Sequence, residues 1–262
     1  MRRLADSRFC AECNAQARAL TWANDVFGNA IASVSFPAPA VTLMFESRIA
    51  IEQNSEPWPV FAIAGSAISF PFRYSDDERL DLGALLVPQH PDPDGRLLTW
   101  AKGFVRSTPT DTLSLLKDVN AAISAWVSYQ RREDEGIQPP VTTLDRRWGS
   151  CRDFALLLIE AVRTLGLGAR IVSGYLANQK GGRVSAVGSM DAGSTHAWAQ
   201  IYLPQAGWVT FDPTNGTVGD FGLIPVAVAR DIKQAVPVSG SYIGTPDDFL
   251  DMTVEVTVLS PT

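Results

Sequence analysis

Over the first hundred residues hydrophobic and polar positions change over in short runs. Ala30-Ile31-Ala32-Ser33-Val34-Ser35-Phe36 and Val41-Thr42-Leu43-Met44-Phe45 alternate or are rich in β-forming residues, and Asp25-Val26-Phe27-Gly28-Asn29 ahead of them has the composition of a hairpin turn. Residues 9–105 therefore read as strands and turns, with the proline-rich residues 88–95 as the loop that leaves this region. The period changes at Thr110-Asp111. Behind Asp111, a helix-capping residue type, Leu113, Leu116, Asn120, Ile123, Trp126 and Val127 fall close to helical spacing, which predicts a helix to about residue 130. After a polar, proline-ended connection over 133–140, residues 151–165 read as a second helix stopped by Gly166. Its apolar residues wrap most of the circumference, the pattern of a buried central helix. Residues 169–176, 195–203 and 207–212 are short, rich in β-branched or aromatic residues, and read as strands, with Pro204-Gln205-Ala206-Gly207 turning between the last two. The expected class is α+β, in two domains with a boundary near residue 107: an N-terminal β region over 1–107 and a helix–sheet domain over 108–262.

Composition narrows the field. Apolar residues make up 46% of the 262-residue chain and charged ones 19%, which is the balance of a compact globular protein. The net charge of -6 comes with no run of Lys and Arg, so nucleic acid is not an expected partner. No apolar stretch approaches the roughly 18 to 20 residues that span a bilayer, so no membrane partner is expected either. The basic start has no apolar segment behind it to make a secretory signal, and three cysteines fit a reducing compartment. The expectation is a cytoplasmic protein.

The chemistry gathers in the second half. Gly149-Ser150-Cys151 sets a cysteine at the first turn of the buried helix, where free backbone N–H groups and the positive end of the helix dipole favour a thiolate. A nucleophilic thiol needs a base, and histidine is the side chain suited to the exchange near neutrality. Of the two histidines, His90 lies in the proline-rich loop and His196 begins a strand. Period two puts His196, Trp198, Gln200 and Tyr202 on one strand face, and Trp208, Thr210 and Asp212 on one face of the next. A hairpin at 204–207 then brings Asp212 directly across from His196 or one diagonal step away, depending on register, close enough to fix the ring's tautomer.

Four segments in this order and spacing resemble the bacterial transglutaminase-like cysteine peptidase family: Gly149-Ser150-Cys151-Arg152-Asp153-Phe154-Ala155, Gly168-Ala169-Arg170-Ile171-Val172-Ser173-Gly174-Tyr175-Leu176, Thr195-His196-Ala197-Trp198, and Gly207-Trp208-Val209-Thr210-Phe211-Asp212-Pro213-Thr214-Asn215-Gly216. The resemblance covers about residues 110–235. It implies a papain-like core in which the Cys151 helix lies on an antiparallel sheet, with Cys151 as nucleophile, His196 as base and acid, and Asp212 orienting the ring. It implies a cysteine-dependent acyl-transfer enzyme, a peptidase or amidase acting through a thioester on a peptide or protein substrate, with no metal or organic cofactor. Residues 9–105 resemble the antiparallel β-sandwich region that precedes this core in bacterial members, through Asp25-Val26-Phe27-Gly28-Asn29 and Phe70-Pro71-Phe72-Arg73-Tyr74. Such regions open with a further strand pair not found before Phe9. The expectation is a sandwich that is either truncated at its start or paired differently, a truncated one having an edge to be covered by the second domain or by a second copy of the chain.

Other readings stand beside these. The same site would serve a protein-glutamine transamidase, and a catalytically idle binding or scaffold protein could keep the fold, although it would need none of the three residues. Cys10-Ala11-Glu12-Cys13 is a lone CxxC without a second ligand pair and reads as strand. Trp148, Trp198 and Trp208 are open between lining a cleft and simple packing. Arg152 and Asp153 are open between tuning or orienting the nucleophile and a capping or salt-bridge role.

Overall fold

The computed structural model of the chain describes residues 19–47, 51, 59–131, 136–177 and 195–257. The chain divides into two compact units, Met1–Glu56 and Pro57–Thr262. In the first, β1 (Ala19–Asn24) and β2 (Ala30–Ser35) form an antiparallel hairpin in the register Ala19↔Ser35 to Asn24↔Ala30. Its turn is the one expected: the Asp25 carboxylate accepts from the N–H groups of Phe27 and Asn29, both at 2.8 Å, and Gly28 takes the left-handed conformation at φ 81°. Of the expected β-sandwich, this hairpin is what the described residues of the first unit show. Cys10 and Cys13 lie outside the described residues.

The second unit runs through β3 (Ser69–Phe70), α1 (Asp76–Leu82), α2 (Arg96–Lys102), β4 (Thr110–Asp111), α3 (Thr112–Trp126), β5 (Ser128–Tyr129), α4 (Pro140–Arg146), β6 (Trp148–Gly149), α5 (Cys151–Thr164), β7 (Ala169–Leu176), β8 (Thr195–Leu203), β9 (Gly207–Asp212), β10 (Thr217–Val218) and β11 (Leu223–Ala229). Strands β10-β9-β8-β7-β11 make a five-stranded antiparallel sheet in that order. Helix α5 lies on β7 and β8 and is enclosed by α2, α3 and α4, so residues 153–163 are all buried. The all-round apolar pattern of this helix has its cause in that position. On the sheet, Ile171, Ala197, Ala199, Ile201, Leu203 and Phe211 are buried with it. Asp111 caps α3 by accepting from Ser114 N at 2.7 Å, and Gly166, at φ 85°, closes the end of α5. The α+β class and the antiparallel sheet are as expected.

The reading of residues 9–105 as strands and turns does not hold for its second half, which carries α1 and α2. Helix α1 starts with a capping box: Glu78 N donates to Ser75 Oγ, and the Glu78 carboxylate accepts from Ser75 N. Its Ser-x-x-Glu signature is present in the sequence, but a seven-residue helix shows too little periodicity to stand out from a strand-rich stretch. Nor do the compact units part near residue 107. Residues 67–101 are bonded into the helix–sheet unit: Tyr74 Oη donates to Tyr202 O and accepts from Gly168 N, Thr112 Oγ1 donates to Ala67 O, and the Glu160 carboxylate accepts from the N–H groups of Gln89 and His90. Leu97 and Ala101 of α2 are buried in the core.

Candidate active site

Cys151 occupies the first turn of α5, and the turn before it is held by Asp153. That side chain, with no exposed surface, accepts from Ser150 N and Ser150 Oγ, each at 2.9 Å, and from Gln138 N at 2.7 Å. Of the two roles open for Asp153, the structure shows capping. The approach leaves no room for a side chain at residue 149, because a Cβ on Gly149 would stand 2.9 Å from Asp153 Cβ. Gln138 extends the brace, donating from Nε2 to Trp148 O at 2.9 Å. The nucleophile candidate therefore sits on a helix start braced from below by Asp153 and Gln138.

His196 enters from the first residues of β8. Pairing of Ala199 with Phe211 sets the hairpin register, so Asp212 stands one diagonal step from His196. His196 Nε2 lies 2.8 Å from Asp212 Oδ2, and the Cys151 thiol is near enough to the ring to raise its proton affinity. His196 is 7% exposed and Asp212 1%. Three further donors converge on Asp212: Thr214 N at 3.0 Å and Asn215 N at 3.4 Å on Oδ1, and Asn215 Nδ2 at 2.7 Å on Oδ2. Burial works against a charge on either group. For Asp212 the bonds to His196, Asn215 and Thr214 outweigh it and hold the carboxyl below its ordinary range. For His196, burial lowers the proton affinity but the Asp212 and Cys151 contacts override it and push the ring up to about 10.

That balance has a measurable consequence. A ring whose proton affinity is raised in the folded state contributes stability that is fully present below its unfolded value of about 6.5, and that is lost as pH climbs through the folded value. The expected result is that the His196 ring signals in NMR stay constant through neutrality and change only as pH nears about 10. A ring titrating near 6.5 would mean that the Cys151–His196–Asp212 chain does not form in solution.

The tryptophans divide. Trp198 is buried beside the site, its ring 5.9 Å from that of His196, and belongs to a core cluster with Val172 and Leu223. It crosses Gly174, where a Cβ would lie 2.8 Å from the Trp198 ring and 2.1 Å from Ile224 O, so the glycine of that motif is sterically required. Trp208 is covered by the Arg170 guanidinium at 4.1 Å and packs on Tyr202. Trp148, on β6, lies near the Arg146 guanidinium at 5.7 Å. Two neighbours of the triad were not anticipated. Asn215 holds the same Asp212 oxygen as His196; an amide three residues after Asp212 in a turn sequence was the available signal. Tyr129 is brought beside the α5 start by the parallel pairing of β5 with β6, which sets Tyr129 against Gly149. Its ring meets Phe154 edge-on at 6.4 Å, and its phenol is raised by burial and by the Cys151 charge. Nothing local in the sequence signals it. Among the described residues no cluster of side chains is arranged to hold a metal ion.

A family model described as Transglutaminase-like superfamily matches residues 99–213, from α2 to just past Asp212. An uncharacterized protein of Mycobacterium bovis is 37% identical over 161 residues, 60% of this chain and 50% of its own length. A protein-glutamine gamma-glutamyltransferase of Pseudomonas aeruginosa is 25% identical over 181 residues, 64% of this chain and 24% of that protein. The chain thus spans half or less of these relatives. Among solved structures, a protein of Cytophaga hutchinsonii, provisionally described as a cysteine protease, superposes with a TM-score of 0.50 at 24% identity, over 65% of this chain and 53% of that one. At that identity the likeness speaks to the fold.

Proposed function

We propose, from the match of residues 99–213 to a Transglutaminase-like superfamily model, that the chain is a cysteine-dependent acyl-transfer enzyme, a peptidase or amidase acting on a peptide or carboxamide. The observation that carries the reading is the buried His196–Asp212 pair, with Nε2 and Oδ2 2.8 Å apart, whose ring is coupled to Cys151 at the N-terminus of a buried helix. In the proposed reaction the Cys151 sulfur attacks the carbonyl carbon, and the developing oxyanion lies at the helix start, where backbone N–H groups point outward. The C–N bond then breaks, His196 gives its proton to the departing amine, and a thioester remains. Water attacks the thioester and passes a proton to His196, the C–S bond breaks to release the acid, and the Cys151 thiolate beside a protonated His196 is restored. Asp212 keeps the ring oriented and its charge balanced throughout.

A second acceptor gives a second outcome. If an amine rather than water meets the thioester, the product is a new amide, as in the gamma-glutamyltransferase of P. aeruginosa to which the chain is similar. Product analysis separates the two: new N-termini or released ammonia indicate hydrolysis, and a labelled amine built into a glutamine peptide indicates transfer. The expected result is hydrolysis, with iodoacetamide modifying Cys151 ahead of Cys10 and Cys13 and halting turnover in proportion. Turnover that survives full modification of Cys151 would remove it as the nucleophile.

A further inference from the structure

The chain as a whole carries -6, yet arginines gather beside Cys151. Arg152 follows it directly, and Arg146 and Arg147 precede it at the end of α4, where the Arg147 guanidinium lies 4.3 Å above the Trp126 ring. Arg147, Trp126, Trp100, Leu144, Arg96 and Asp145 line a cavity of about 260 Å³. Within it the Asp145 carboxylate is engaged by both terminal nitrogens of Arg96. Among the described residues no carboxylate lies within ion-pair distance of Arg147. The groove is thus walled by indole and offers one guanidinium charge that no carboxylate among the described residues pairs with.

The backbone at this position adds a second argument. Arg147 is the cap residue after α4 and sits in the left-handed region, at φ 56° and ψ 30°. Glycine, or failing that asparagine, is the residue that takes this conformation without steric cost. An arginine there has no local advantage, and its side chain is spent on the Trp126 face. The groove also lies in reach of the chemistry. Arg147 O accepts from Ser128 N at 2.8 Å at the head of the β5–β6 pair, and four residues of chain, at most about 14 Å, separate Arg147 from Cys151. A bound extended peptide rises about 3.3 Å per residue, so three or four residues of substrate span a separation of that size.

We propose that this groove is a specificity subsite for an acidic side chain of the peptide acyl donor, three or four residues from the carboxamide that Cys151 attacks, with Arg147 as its ion-pair partner and the tryptophans as walls. The inference rests on the acyl-transfer reading for its substrate. Arginine suits the role because its planar fork pairs with a carboxylate through two donors while its face stacks on the indole.

The test uses matched peptides that carry Glu or Gln at each of positions two to five from the reacting carboxamide. Turnover is measured with the full chain, and binding is measured by fluorescence anisotropy on Cys151→Ala. The expected preference for Glu at position three or four is about tenfold, which corresponds to about 1.4 kcal/mol. It should lie in KM, and it should shrink at 0.5 M salt. Arg147→Gly should melt close to the parent and lose the preference; Arg147→Gln, which keeps a side chain for Trp126, serves if the glycine variant fails to fold. Arg147→Glu should turn the preference toward Lys. Equal use of Glu and Gln peptides at every position, or a preference that survives loss of the Arg147 charge, overturns the subsite. If no peptide is turned over, the acyl-transfer reading fails, and anisotropy still decides whether the groove selects acidic peptides.

Discussion

Asp212→Asn should leave a folded protein whose turnover falls by up to about 10⁴, the size of the comparable change in a serine triad. The reason lies in the count of donors. Four of them converge on the carboxylate: His196 Nε2, Asn215 Nδ2, Thr214 N and Asn215 N. An amide has one accepting oxygen. If that oxygen keeps the loop amides, the amide nitrogen faces the His196 ring and favours the tautomer with its proton on the wrong nitrogen. If it turns to the ring, the loop amides lose their acceptor. Neither arrangement restores the negative charge that holds the ring protonated, so the His196 signals should begin to titrate lower than in the parent. The unmet backbone donors should cost about 1–3 kcal/mol, a loss that chemical unfolding resolves. Turnover and ring titration both unchanged in a folded variant would take Asp212 out of the site.

The second large effect is structural. Glu160 and Arg163 form an ion pair inside the molecule at 2.8 Å, both side chains without exposed surface. Burial lowers the proton affinity of Arg163, while the Glu160 carboxylate opposes that shift. The pair is tolerated because every lobe is engaged. Glu160 accepts from the N–H groups of Gln89 and His90, and Arg163 donates to the carbonyls of Leu85, Ala169 and Arg230. It thus ties α5 to the 83–90 segment, to the start of β7 and to the end of β11. Arg163→Ala should destabilise the protein by about 3–5 kcal/mol, since it leaves a buried carboxylate without its counter-charge and three carbonyls without donors. Urea unfolding followed by far-UV circular dichroism measures this. A loss under about 1 kcal/mol would mean that water reaches the pair.

The elements that carry the chemistry were legible because their signals are local. A helix stop at Gly166, a capping aspartate before α3, the alternation along β8 and the turn at residues 204–207 each depend on neighbours within a few positions. Each formed where periodicity and turn chemistry placed it. The short α1 and α2 escaped notice because seven residues give periodicity too little length, and tertiary contacts with α5 and the sheet supply much of what holds them.

The sequence by itself determined which side chains could react and roughly where they would meet: Cys151 at a helix start, and His196 and Asp212 on adjacent strands of one hairpin. The tertiary structure decided the rest. Sheet register chose the diagonal step between His196 and Asp212, because hydrogen-bond pairing between strands is a property of two segments at once. Parallel pairing of β5 with β6 joined residues about twenty positions apart, and so brought Tyr129 to Cys151 and opened the groove of Trp126 and Arg147. Enclosure of α5 on all sides made Asp153, Glu160 and Arg163 buried, hydrogen-bonded supports. Burial of a polar group depends on what folds over it, and that information lies in distant parts of the chain rather than around the residue itself.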